Sequence, residues 1–198
     1  MRILHVDSAT TGDASVSRKL TRLIVDHLTA RHPEAQVEVL DLGTNPLPHL
    51  DVVTTGAIRL PAEAHDDAMK AAFPTERAVL DQFLSSDIVV IGAPMYNFTI
   101  PSQLKAWLDR LGVPRVTFSY SEKGPEGLAG GRRVIIASSR GGSYEMGSSV
   151  EHQESYLTKF FGFIGIPRIE WIRAEKTGFG PEALAEAMEA AKKEIAML

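Results

Sequence analysis

The residues with the most chemical capacity fall in three short clusters. The first, Asp7-Ser8-Ala9-Thr10-Thr11-Gly12-Asp13-Ala14-Ser15-Val16-Ser17, crowds hydroxyls just ahead of a helical pattern. Hydroxyls and free backbone N–H groups at the positive end of a helix make a site for a phosphate. Only Gly12 is present, with no Gly-x-Gly-x-x-Gly and no Gly-Lys-Ser/Thr, so neutral donors here suit one terminal monophosphate better than a pyrophosphate or triphosphate. Taken alone, Ser15 or Ser17 reads better as a helix N-cap, since serine before a helix is common. The second cluster is Gly92-Ala93-Pro94-Met95-Tyr96-Asn97-Phe98-Thr99-Ile100-Pro101-Ser102. Met95, Tyr96 and Phe98 offer apolar faces to a flat heteroaromatic ring, and Asn97 with main-chain amides offers edge hydrogen bonds. The third, Ser138-Ser139-Arg140-Gly141-Gly142-Ser143-Tyr144, has paired glycines that allow positive φ and close approach of backbone N–H groups to a ligand. Each cluster alone is also an ordinary turn or core rim. A phosphate cradle, a ring platform and an edge-donor loop together match a flavin mononucleotide.

Those clusters need elements that bring them to one place. Five apolar runs read as strands: Ile3–Val6, Val37–Leu40, Ile88–Ile91, Val134–Ala137 and Ile169–Ile172. The third and fourth are continuous and β-branched, as expected for strands buried on both faces. Between the runs, Leu20, Leu23, Ile24 and Leu28 predict a helix from Ser17 to about Ala30, and Leu104, Trp107, Leu108 and Leu111 predict another. Tyr156, Leu157, Phe160 and Phe161 suggest a helix before strand five, Pro181 opens a last one, and Thr75–Leu84 carries a weaker helical pattern. The alternation predicts one α/β domain over residues 1–198, a doubly wound five-stranded parallel sheet of order 2-1-3-4-5 with helices on both faces. Ligands of such sheets sit at the carboxyl ends of the strands, and the three clusters follow strands one, three and four. Two stretches read as irregular: Gly43–Pro61, long enough for an active-site or interface loop, and Arg115–Arg133, a small excursion or hairpin.

Composition removes several function classes. There is no cysteine, so no thiolate cluster, disulfide framework or cysteine nucleophile exists. The histidines at 5, 27, 32, 49, 65 and 152 lack metal-ligand spacing, so no metal site is expected. A formal charge of −4 gives no basic footprint for nucleic acid, and no stretch is apolar enough to span a membrane. Met1-Arg2 runs directly into the first strand without an h-region, which gives the expectation of a cytoplasmic protein.

These residues resemble the FMN-dependent NADH azoreductases, a family related to the NAD(P)H quinone oxidoreductases. The resemblance runs from Ile3 to the last helix and rests on Ala93-Pro94-Met95-Tyr96-Asn97-Phe98, Gly124-Pro125-Glu126-Gly127-Leu128, Ser139-Arg140-Gly141-Gly142 and Gly162-Phe163-Ile164-Gly165. It implies a flavodoxin-like fold with tightly bound FMN. Ser8, Ser15, Val16 and Ser17 would lie at the phosphate and ribityl end, and Met95, Tyr96, Asn97, Phe98, Ser139, Arg140, Gly141 and Gly142 at the isoalloxazine. The family often has two serines after strand one, and here the second position is Ala9. Tyr144 stands where some relatives have histidine.

The resemblance further implies a homodimer in which the Phe118 and Tyr120 region of one subunit walls the flavin pocket of the other. Phe98, Phe118, Tyr120 and Tyr144 would then line the substrate pocket. NADH or NADPH would pass hydride to the flavin, and a quinone or azo compound would accept electrons on the same face in a ping-pong scheme. No side-chain catalyst is implied, because the cofactor carries the chemistry while Asn97, Gly141 and Gly142 tune it. Two rival readings remain at this level: a flavodoxin-type electron carrier, whose acidic docking surface a charge of −4 only modestly matches, and a flavin reductase that releases its flavin.

Overall fold

The computed structural model describes residues 1–198. Seven strands and six α-helices follow in the order β1 (Arg2–Asp7), α1 (Val16–Arg31), β2 (Gln36–Asp41), α2 (Val52–Arg59), α3 (Asp67–Leu84), β3 (Ile88–Pro94), α4 (Ser102–Leu111), β4 (Phe118–Ser121), β5 (Gly124–Gly127), β6 (Arg133–Ser139), α5 (Glu154–Phe163), β7 (Ile169–Ala174) and α6 (Pro181–Ile195). Five strands form one parallel sheet ordered β2-β1-β3-β6-β7. The other two, β4 and β5, pair antiparallel as a separate hairpin. That hairpin occupies the Arg115–Arg133 excursion and shifts the numbering of the later strands relative to the five-run reading.

Side chains alternate across a strand, so the central strands feed two cores. Val89, Ile91, Val134 and Ile136 face Trp107, Leu108, Leu157 and Phe161 from α4 and α5. Ile3, Ile88, Val90 and Ile135 face Leu20, Ile24 and Leu28 of α1 and Ile195 of α6. The chain proceeds outward from β1 to β2, then returns to β3 and continues the other way. The reversal leaves a crevice at the carboxyl ends of β1 and β3, where such folds take ligands.

Gly43–Pro61 is not a plain loop. Asp51 caps α2 by accepting the Thr54 amide at 2.8 Å while its own amide donates to the Thr54 hydroxyl at 2.9 Å. This reciprocal cap holds an eight-residue helix whose Val-Val-Thr-Thr opening has poor intrinsic propensity. Helix α3 starts at Asp67, eight residues ahead of the expected Thr75, and carries Pro74 in its interior. The proline masked the pattern because it breaks most helices.

Candidate functional site

The three clusters meet at the crevice. The Ser8 hydroxyl, fully buried, donates to the Gly92 carbonyl at 2.6 Å and ties the loop after β1 to the end of β3. The Tyr96 hydroxyl accepts the Thr10 amide at 3.1 Å, a second tie between those loops. The Met95 amide donates to the Ser139 carbonyl at 2.8 Å, and the Phe98 and Tyr144 rings meet edge to face at 6.4 Å, which joins the second loop to the third.

At the first loop, Ser15 caps α1, its hydroxyl accepting the Arg18 amide at 3.2 Å. The Ser17 hydroxyl lies 3.1 Å from that of Ser15. A helix start leaves its first amides without intrahelical acceptors, so Val16 and Ser17 present N–H groups beside this serine pair. Beneath them the Arg18 guanidinium grips Asp41 through two 2.8 Å bonds and lies 3.4 Å from the buried Asp7. The Arg18 hydrogen bonds, joined by donors from Thr44, hold the Asp41 carboxyl well below the usual carboxylate range. Asp7 also accepts the Thr21 hydroxyl at 2.8 Å and has the His5 ring at 3.4 Å. Gly92 makes room for this cluster, since a Cβ there would sit 2.9 Å from Asp7 Oδ1. Ala9 is buried, and its carbonyl packs so closely on Gly43 that a Cβ there would come within 2.1 Å.

At the second loop, Tyr96 and Thr99 exchange two backbone bonds of 2.8 and 3.1 Å around Asn97 and Phe98. Both central residues have positive φ, 48° and 71°. This is the type I′ arrangement, which usually selects Asn-Gly. Phenylalanine in the left-handed region is strained, and it leaves the ring half exposed on the rim.

At the third loop, glycine is not needed for left-handed backbone, because neither Gly141 nor Gly142 has positive φ. That expectation is corrected by their neighbours. A Cβ at Gly142 would lie 3.2 Å from the Tyr144 ring, and Gly141 keeps its outer side open. Three successive carbonyls are bonded to one turn beyond β7. Arg140 O accepts the Thr177 amide at 3.1 Å and the Thr177 hydroxyl at 2.9 Å; Gly141 O accepts the Gly178 amide at 3.1 Å; Gly142 O accepts the Lys176 amide at 2.8 Å. In trans peptides N–H and C=O point oppositely, so the amides of Gly141, Gly142 and Ser143 face away from that turn. Consecutive amides on one side form an anion-binding concavity.

The Arg140 side chain turns inward, which leaves its backbone as the part that could meet a ligand. Its guanidinium is buried in a network rather than presented to a ligand, donating to Gln153 at 2.8 Å, Glu154 at 2.6 Å, and Glu151 and Glu175 at 3.3 Å. Gln153 passes the link on to the Ala93 carbonyl at 2.7 Å. Ser8 is likewise a loop anchor through its hydroxyl. Phe118 does not await a partner: it is buried against Phe163 at 4.5 Å, filling an intramolecular pocket that the alternating pattern did not reveal. Tyr120 remains 74% exposed. Sequence reading missed Gln153, Glu154, Glu175 and the Lys176–Gly178 turn. Lys176 has φ 58°, and Gly178 and Gly180 follow closely, a turn signature that alone pointed to no ligand.

A doubly wound sheet with this loop cluster defines a flavodoxin-like domain. The chain belongs to that family: the model described as "Flavodoxin-like fold" matches residues 1–198. Within it, the chain is 50% identical over 198 residues to a protein from Delftia acidovorans named FMN-dependent NADH:quinone oxidoreductase, with 98% of this chain and 93% of that protein covered. A Rhizobium meliloti protein of the same name is 50% identical over 201 residues, covering 99% and 96%. Among solved structures, an azoreductase from Bacillus anthracis superposes with a TM-score of 0.90 at 29% identity over 100% of this chain and 97% of that one. An FMN-dependent NADH-azoreductase from the same species, solved in complex with FMN, gives 0.86 at 25% identity over 100% and 99%.

Proposed function

We propose that this chain is a single FMN-binding domain acting as an FMN-dependent NADH:quinone oxidoreductase that also reduces azo compounds. The observation that carries the reading is the ring-edge loop, three carbonyls fastened behind and three amides facing forward, beside a serine pair at a helix start. Half-identical relatives that bear this name support the same reading. The donor set fits FMN. Ser15, Ser17 and the Val16 amide would hold the phosphate. The Gly141, Gly142 and Ser143 amides would meet the electron-rich ring edge, with Met95, Tyr96 and the Asn97-Phe98 turn along the ring. Bound FMN supplies two-electron redox chemistry between a nicotinamide donor and an aromatic acceptor. The chain's residues bind and orient: aimed amides stabilise negative charge without reorganising, and the Phe98 and Tyr144 rings wall the space where donor and acceptor alternate.

The chain is also proposed to work as a cytoplasmic homodimer. Tyr120 projects into solvent beside an aromatic cleft of about 270 Å³ at Phe118, Phe160 and Phe163, and exposed aromatics of this kind favour interfaces. No helix is long and apolar enough to cross a membrane.

Purified protein should take up about one FMN per chain and oxidise NADH with menadione or a model azo dye, with parallel double-reciprocal plots when one face serves both substrates. Absence of FMN binding at micromolar concentration would overturn the reading. Bound FMN with negligible NADH oxidation would favour an electron carrier.

A further inference from the structure

The Arg140 network has more charge and more bonds than a loop anchor needs. Glu151 and Glu154 are buried, Glu175 is partly so, and Arg140 and Arg173 are their cations. Burial alone would raise the Glu151 carboxyl. The Ser155 hydroxyl and the amides of Glu154, Ser155 and Gln153 outweigh it and hold the carboxyl below its ordinary value. Glu151 is therefore a fixed anion that fastens the start of α5. Arg140 spans from this anchor to Glu175, which also accepts the Ser143 hydroxyl at 2.9 Å and the Tyr144 amide at 3.3 Å. Glu175 immediately precedes the Lys176–Gly178 turn, whose amides bind the three carbonyls behind the ring-edge loop.

The loop needs such a restraint. Glycine has a broad backbone landscape, so peptides flanking Gly141 and Gly142 can rotate unless both sides are held. Rotation of one peptide would turn an amide away from the crevice and a carbonyl towards it. The bonds to Lys176, Thr177 and Gly178 oppose that rotation, and Arg140 with Glu175 keeps turn and loop in register.

We propose that Arg140 and Glu175 are positioning residues: they aim the ring-edge amides without touching the ligand, and so bias the site towards the reduced, more electron-rich form of FMN. This inference rests on the FMN reading above and adds to it the residues that set the redox bias. A guanidinium spreads five donors over a planar fork where an ammonium holds three on one nitrogen, so Arg140→Lys keeps the charge and loses the span. Glu175→Gln keeps the side-chain shape and one acceptor oxygen, replaces the other with an NH2 donor and removes the ion pair at a partly exposed residue, and serves should Arg140→Lys fail to fold.

The test compares Kd values for oxidised and reduced FMN on the apoprotein, with amide hydrogen exchange measured without cofactor. In either variant the reduced form should lose about tenfold or more in affinity while the oxidised form loses less than about threefold, with a matching fall in the midpoint potential of bound FMN. Lys176, Thr177 and Gly178 amides should exchange faster than in the parent, with β3 unchanged. Equal losses for both redox forms, or unchanged exchange in the turn, would overturn the inference. Failure of the parent protein to bind FMN would overturn the functional reading and the redox bias, and exchange in the turn would then decide whether Arg140 and Glu175 position the loop.

Discussion

Phe98 joins a backbone cost to a proposed binding role, and the two can be separated by substitution. At φ 71° an L-residue carries about 1–2 kcal/mol of left-handed strain, which alanine keeps and glycine removes. Glycine adds about 0.5–1 kcal/mol of chain entropy to be lost on folding. Phe98→Gly should therefore be more stable than Phe98→Ala by about 0–1.5 kcal/mol. The ring is 50% exposed, so its removal sacrifices roughly half of the ~1.5–3 kcal/mol that full burial would give. Both variants lose the aromatic wall and should bind FMN roughly two- to tenfold more weakly, regardless of which is more stable. Urea unfolding of the apoproteins and fluorescence titration with FMN measure the two quantities. If Phe98→Gly fell below Phe98→Ala by more than about 1 kcal/mol, the strain assigned to this turn would be wrong. If FMN affinity followed stability across the pair, Phe98 would have no separate role in binding.

Changing Ser15 and Ser17 together to Ala should cost about 0.5–2 kcal/mol of apoprotein stability through the lost cap, and tenfold or more in FMN Kd through lost bonds to the phosphate. Riboflavin, which has no phosphate, should be nearly unaffected; equal losses for both ligands would instead indicate a collapsed loop. Asp41 should shape the acid limb of stability. Its folded pKa is depressed chiefly by Arg18, so its contribution is fully present above the unfolded value near 3.8 and disappears as pH falls towards the folded one. Asp41→Asn should lower stability at pH 7 and flatten the loss between about pH 5 and pH 2; an unchanged acid slope would contradict the assignment. Tyr120→Glu should shift a dimer towards monomer in light scattering, and a parent protein that is monomeric and fully active would refute the proposed assembly.

The five sheet strands were legible because buried parallel strands are runs of apolar β-branched residues, and Ile88–Ile91 and Val134–Ala137 stand out as such. Loop positions followed, since a strand end fixes where a loop begins. Harder to read were elements held by a few specific contacts. Helix α2 depends on a reciprocal Asp51–Thr54 cap rather than propensity, and the first turns of α3 are hidden by Pro74. Within the site, chemical type was visible but direction was not. Arg140 reads as a cation beside paired glycines, yet its guanidinium turns inward to carboxylates 11, 14 and 35 residues away in sequence. Phe118 reads as one face of an alternating strand, and only the fold shows Phe163 beneath it.

The fastening of the ring-edge loop from behind has a consequence for biogenesis. Residues 140–142 take their final orientation from contacts with residues 174–178, more than thirty residues later in the chain. The serine cradle at α1 and the turn at Asn97-Phe98 are synthesised much earlier. A chain emerging from the ribosome in order thus has the helix start proposed for the phosphate available while the complementary edge is still missing. Cofactor capture is correspondingly deferred until β7 and the turn after it have been made, and chains truncated before β7 should be unable to retain the ring.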